Sequence, residues 1–222
     1  MLEIRDLAKM YDSKSGLKQA SIIALPGDVL ALVGPNGSGK TTLLNVLCDV
    51  HKADSGYCAL DGIPLNFCKA DIGFMPETPY LLDSLTGVEF LRFIAGLKGL
   101  SSLDTINEYM TALNVLGFAM KRMKTLSQGQ RKRFSLLAAL LGEPKLLILD
   151  EPTNGLDTES LIKLKEIFAE RSKNGKITLL SSHVLDFVKS TANKVVFIKN
   201  GEATTEFDAS CDIEEKYIAM FM

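Results

Sequence analysis

"VLALVGPNGSGKTTLLNVL", residues 29–47, decides the fold. The run VLALV shows no polar alternation and ends on Gly34, as expected of a strand buried on both faces of a parallel sheet. Beyond Gly39 the apolar residues return at helical spacing. Between the two elements Gly34, Gly39, Lys40 and Thr41 complete G-x-x-x-x-G-K-[ST]. A strand, a glycine loop and a helix in that order turn backbone N–H groups and a helix N-terminus toward a phosphate. Nucleotide binding is therefore expected of Gly34, Pro35, Asn36, Gly37, Ser38, Gly39, Lys40, Thr41 and Thr42. Lys40 is expected to reach the β- and γ-phosphates, and the Thr41 hydroxyl to ligate Mg²⁺. A random chain of this length matches the pattern on the order of once in a hundred, and the flanking strand and helix lower that further.

The bulk properties suit one large domain, or one domain with a sizeable insertion. With 222 residues, 46% of them hydrophobic, the chain can bury a substantial core. A net charge of −2 shows no basic excess, so nucleic acid is not expected as a partner. Cysteines 48, 58, 68 and 211 never reach C-x-x-C spacing and read as reduced, part-buried thiols. MLEIRDLAKMYD mixes charges early, unlike a signal peptide, and LLAALL at 136–141 is too short to span a bilayer. A soluble, intracellular protein is expected.

Along the chain, strands are expected at 2–10, 17–25, 29–34, 56–60, 71–75, 145–150, 176–182 and 194–200, with a turn at 26–28. From 86 to about 141 the spacing is helical, and a further helix is expected at 158–172. The fold class is thus α/β: a nucleotide-binding core with a mixed or antiparallel β part and an inserted all-helical part. The core is assigned to about 1–77 and 143–222, the helical part to about 78–142.

"LLILDEP", 146–152, places Asp150 and Glu151 at the carboxyl end of a buried strand, the edge where ligands of open α/β sheets bind. Asp150 suits the support of Mg²⁺. Glu151 suits a base for the attacking water, which needs a carboxylate within hydrogen-bond reach. Without the phosphate loop, an acidic helix N-cap region explains the pair as well.

The order GPNGSGKTT, LSQGQ (126–130), LLILDEP, NGLD (154–157) and SSH (181–183) resembles the ATP-binding cassette (ABC) family over nearly the whole chain. LSQGQ in that place is the specific element. The resemblance implies an ATP sandwiched between two subunits facing head to tail, the phosphate loop of one opposite the LSQGQ loop of the other. Ser127, Gln128, Gly129 and Gln130 then contact the partner's nucleotide, with Ser127 and Gly129 opening a helix from Gln128 to Leu141. An ordinary Ser127 cap with Gln130 at the third helical position predicts the same helix start, but not the flanking motifs.

By the same resemblance, Tyr11 stacks on adenine, a contact worth roughly 1–3 kcal/mol, although a half-buried strand-end tyrosine reads similarly. His183 contacts the γ-phosphate, and Asp157 belongs to the loop joining the two sites. Two positions depart from the family pattern. Gln128 replaces the commonest glycine. In "IGFMPE", Glu77 stands where a glutamine usually senses Mg²⁺ and γ-phosphate, a variant resembling the drug- and lipid-export branch. The carboxylate still accepts from Mg²⁺-bound water but repels phosphate, Asp150 and Glu151.

The resemblance implies the ATPase subunit of an exporter, using ATP and Mg²⁺, with catalytic Glu151 and His183 and metal-site residues Thr41, Asp150 and Glu77. Its implied partners are a second ABC ATPase subunit, identical or not, and a transmembrane permease that holds it on the inner face of the cell membrane. An importer ATPase and a non-transport soluble ABC ATPase are the alternatives. The stripe Leu81, Leu82, Leu85, Val88 and Leu91 reads equally as core or as a groove for the permease.

Overall fold

In the computed structural model, residues 1–13, 15–100, 104–204, 206–209 and 212–222 are described. Cys211 lies outside them. The N-terminal half holds β1 (Leu2–Met10), β2 (Gly16–Ala24), β3 (Val29–Val33), β4 (Ser55–Leu60), β5 (Ile63–Pro64) and β6 (Ile72–Met75). β7 (Leu146–Leu149), β8 (Ile177–Ser181), β9 (Lys194–Lys199), β10 (Glu202–Ala203) and β11 (Phe207–Asp208) follow. The helices are α1 (Lys40–Leu47), α2 (Gly87–Leu97), α3 (Asp104–Ala112), α4 (Gln128–Leu140), α5 (Thr158–Lys173), α6 (Leu185–Thr191) and α7 (Ile213–Phe221).

Five strands run parallel in the order β9-β3-β8-β7-β6. Every residue of β3, β7 and β8 is buried, because side chains leave both faces into apolar layers. Ala31, Leu147 and Leu180 face the core built by α2, α4 and α5, whereas Leu30, Leu32 and Ile148 face the core formed with α1, β1 and β2. β1, β2, β4 and β5 pair antiparallel beside this block, and β10 joins β2 to β9. β11 pairs antiparallel with β9.

The register places the site. Met75 stands beside Leu149, Leu149 beside Leu180, and Leu180 beside Ala31. The segments after β3, β6, β7 and β8 therefore leave the sheet at one edge. That edge receives residues 34–39, Glu77, Asp150 with Glu151, and His183.

The helical stretch resolves into three helices, with 3₁₀ turns at Leu116–Phe118 and Met123–Thr125 between α3 and α4. Its apolar stripe is mostly core: Leu91 is fully buried, Leu81, Leu85 and Val88 pack on the same cluster, and Leu82 is exposed. Short elements had no sequence expectation, namely β5, β10, β11 and α6. α7 was also unexpected; Asp212 caps it, and Tyr217 and Phe221 pack against Phe197.

Arg171 of α5 is 2% exposed and donates from Nη2 to the carbonyls of Pro144 (3.1 Å) and Ile177 (3.2 Å). Burial lowers its pKa to about 10, so it stays protonated at neutral pH. Arg171→Leu leaves both acceptors without this donor in a dry layer, at a cost of about 3 kcal/mol. Calorimetry should show a Tm lowered by about 6–12 °C; an unchanged Tm would show that those carbonyls find other donors.

Candidate functional site

The loop between β3 and α1 is shaped by what lies under it. A Cβ on Gly34 would lie 2.3 Å from the Ile198 carbonyl oxygen, so the passage beside β9 admits no side chain. Gly37 and Gly39 take φ of +78° and +113°, which glycine adopts without steric cost. Gly39 provides no side-chain cap to α1, so the first N–H groups of this helix face the loop with their partial positive charge. Lys40 Nζ donates to the carbonyls of Gly34 (2.8 Å) and Pro35 (3.1 Å). Burial lowers the Lys40 pKa, opposed by the nearby Glu151, Asp150 and Glu77. The Ser38 hydroxyl is buried at the loop without a hydrogen-bond partner.

The carboxylates lie on the same edge. The Asp150 N–H donates to the Met75 carbonyl (2.9 Å), carrying the β6–β7 pairing one residue past β7. Ser181 Oγ donates to Asp150 Oδ1 (2.6 Å) and accepts from the Glu151 N–H (2.8 Å), so one hydroxyl sets both acids. Glu151 is buried with φ +46°, an uncommon conformation for a residue other than glycine. Its Oε2 lies 2.9 Å from His183 Nδ1. An ionised carboxylate only accepts, so Nδ1 carries the hydrogen, leaving Nε2 for another contact.

A cavity of about 440 Å³ is lined by Tyr11, Asn36, Gly37, Gly39, Lys40, Thr41, Thr42, Glu77, Glu151 and His183, among others. Thr41 and Glu77 also line an adjoining groove of about 580 Å³, and Asp150 lines this groove rather than the cavity. Among the described residues no group of three or more His, Cys, Asp or Glu forms a closed metal cage. A hydroxyl with one or two carboxylates suits Mg²⁺, which usually keeps waters and takes its other ligands from substrate phosphates. These donors fit the ion.

The LSQGQ residues do not line the cavity that holds Lys40. Ser127 Oγ accepts from the Gln130 N–H (3.3 Å), and Gln130 Oε1 accepts from the Ser127 N–H (3.0 Å), a capping box at the start of α4. Gln128 is exposed. A Cβ on Gly129 would lie 2.6 Å from the Gly155 carbonyl oxygen. Asp157 caps α5 by accepting from the Ser160 N–H (3.0 Å) and pairs with Arg133 Nη2 (2.6 Å). Its pKa is lowered by the Ser160 hydrogen bonds first and by Arg133 second.

Two residues here escaped sequence reasoning. Tyr11, 52% exposed, meets the His51 ring edge-on at 5.4 Å between centroids, and His51 lines the adjoining groove. Lys132 is 2% exposed and donates to the Glu151 carbonyl at 2.6 Å. A signal for Lys132 existed: it shares a helical stripe with Ser135, Leu136 and Ala139, all buried, where a lysine needs a partner. For His51 no sequence signal stands out, since the contact joins distant segments.

Comparison with known proteins gives a family profile, described as ABC transporter, matching residues 17–154. The chain is 34% identical over 211 residues to the uncharacterized ABC transporter ATP-binding protein YdbJ of Bacillus subtilis, covering 93% of this chain and 68% of YdbJ. It is 32% identical over 222 residues to the lantibiotic transport ATP-binding protein SrtF of Streptococcus pyogenes, covering 98% and 96%. A solved structure of an ATP binding subunit of an ABC transporter superposes with a TM-score of 0.89 at 26% identity, covering 100% of this chain and 95% of that one. The chain spans 61–68% of the length of three of its curated relatives, YdbJ among them.

Proposed function

Because this chain belongs to the ABC transporter family, we propose that it is an ATP-hydrolysing subunit that dimerises head to tail on ATP and drives a separate membrane permease. One observation carries the dimer. The phosphate loop, Glu151 and His183 share one cavity, while Ser127–Gln130 stand outside it at the start of another helix. The LSQGQ loop then serves the nucleotide of a second subunit, either a copy of this chain or a related one.

In this reading residues Gly34–Thr42 wrap the phosphates and Lys40 leaves its loop carbonyls for phosphate oxygens. Tyr11 stacks on the adenine. Thr41, Asp150 and Glu77 would hold Mg²⁺, which when bound would offset the negative charge of the phosphates. Glu151 accepts a proton from the attacking water, and His183, steered by the Glu151 carboxylate, presents Nε2 to the γ-phosphate. The groove lined by Glu77, Tyr80, Leu81 and Ile94 receives a cytoplasmic segment of the permease, which holds the chain on the inner membrane face. Export is favoured over import by the IGFMPE variant and by the likeness to SrtF. No described helix is long and apolar enough to cross a membrane.

The reaction is tested by chelation. EDTA should lower ATP turnover by about 10²-fold or more, with ATP still bound and turnover restored by excess Mg²⁺. Turnover indifferent to the chelator would contradict the assigned roles of Thr41 and Asp150.

A further inference from the structure

α4 sends one ammonium group under the catalytic edge. Lys132 Nζ donates to the Glu151 carbonyl at 2.6 Å, while Ser181 Oγ takes the Glu151 N–H at 2.8 Å. The backbone of Glu151 is thus gripped at both ends, by α4 on one side and β8 on the other. It sits there with φ +46°, a conformation that persists only where its surroundings enforce it. Lys132 lies little more than one helical turn beyond Ser127, so the helix that opens the LSQGQ loop is the helix that holds Glu151.

The charges around Lys132 add a second role. Burial lowers its pKa, and Glu77, then Glu151 and Asp150, oppose that lowering. The same three carboxylates act on Lys40. Glu77, Glu151 and Lys40 line one cavity, Asp150 precedes Glu151 in the chain, and Lys132 reaches the Glu151 carbonyl from α4, so three acids and two buried lysines share this edge.

We propose that Lys132 is a positioning residue for hydrolysis: it ties the Glu151 backbone to the helix beginning at the LSQGQ loop and supplies the counter-charge that lets Glu77 share the edge with Asp150 and Glu151. The proposal rests on the reading of Glu151 as the base. It differs from a purely structural role, such as that of Arg171, by predicting coupling to Glu77. Without Lys132 the edge gains one net negative charge beside the nucleotide phosphates, and removing one carboxylate offsets it.

The experiment compares wild type, Lys132→Met, Lys132→Gln and each of these combined with Glu77→Gln, in the full chain. Steady-state ATPase gives kcat and KM, a fluorescent ATP analogue gives Kd, and calorimetry gives Tm. Lys132→Met should lower kcat by about 10-fold or more with Kd and KM within about 2-fold. Adding Glu77→Gln to it should recover at least about 3-fold in kcat, the non-additivity expected of charges in one cluster. Lys132→Gln keeps a donor for the carbonyl without the charge, so it should fall between wild type and Lys132→Met and gain likewise from Glu77→Gln. This pair decides the matter should Lys132→Met fail to fold. The proposal is overturned by a kcat within about 2-fold of wild type in the lysine variants, or by a loss that Glu77→Gln does not relieve. If those results came with wild-type turnover and an inactive Glu151→Gln, the role of Lys132 would fall while the reading of the site stood.

Discussion

Glu151→Gln is expected to lower ATP hydrolysis by about 10²-fold or more, about 2.7 kcal/mol in the barrier, within the range for a lost general base. The substitution keeps the side-chain volume and leaves the backbone grip intact, because Ser181 and Lys132 hold the N–H and carbonyl of residue 151 rather than its carboxylate. What changes is the group facing His183 Nδ1, from an acceptor to an amide that cannot take a proton from water. ATP binding depends on the loop at 34–42 and should be retained. With binding preserved and hydrolysis blocked, the variant should accumulate as an ATP-held dimer visible by light scattering. Phosphate release near the wild-type rate would show that Glu151 is not the base.

Much of this site was legible because its chemistry is local in sequence. Gly34 to Thr42 is a contiguous loop whose strand and helix are announced by unbroken and helical apolar spacing. Asp150 and Glu151 stood out as charges ending an apolar run, and the capping box of Ser127 and Gln130 follows from their three-residue separation. The contacts that set the geometry were less legible, since they join segments far apart in the chain. Ser181 bridges Asp150 and Glu151 from another strand, and Lys132 reaches Glu151 from α4. The sequence reading of Glu77 dwelt on its repulsion, whereas the structure brings the buried Lys132 ammonium to the same edge. The short elements were missed for a different reason: β10 and β11 are too short for a period of two to register.

The head-to-tail arrangement is the central claim, and a complementation test bears on it directly. Gly129 is a poor place to perturb the LSQGQ loop, because any side chain there meets the Gly155 carbonyl within the same chain. Ser127→Asp is cleaner: aspartate caps a helix as well as serine does, and a carboxylate is favoured at a helix N-terminus. α4 should form normally, and the monomer should bind ATP as wild type does. On closure the new carboxylate meets the γ-phosphate of the partner's nucleotide, where like charges in a dry interface repel strongly. Lys40→Ala should instead lose binding at its own loop while keeping an intact Ser127. Each pure variant should show turnover lowered by about 10²-fold or more. In an equimolar mixture, random pairing makes half the dimers mixed, and each mixed dimer holds one site with both Lys40 and Ser127 intact. The measurement is ATP turnover of that mixture beside each pure variant and wild type. The head-to-tail sandwich predicts recovery to about one quarter of the wild-type rate. A mixture no more active than its pure components, with wild type turning over alone, would place both loops on the same nucleotide of one chain and contradict it.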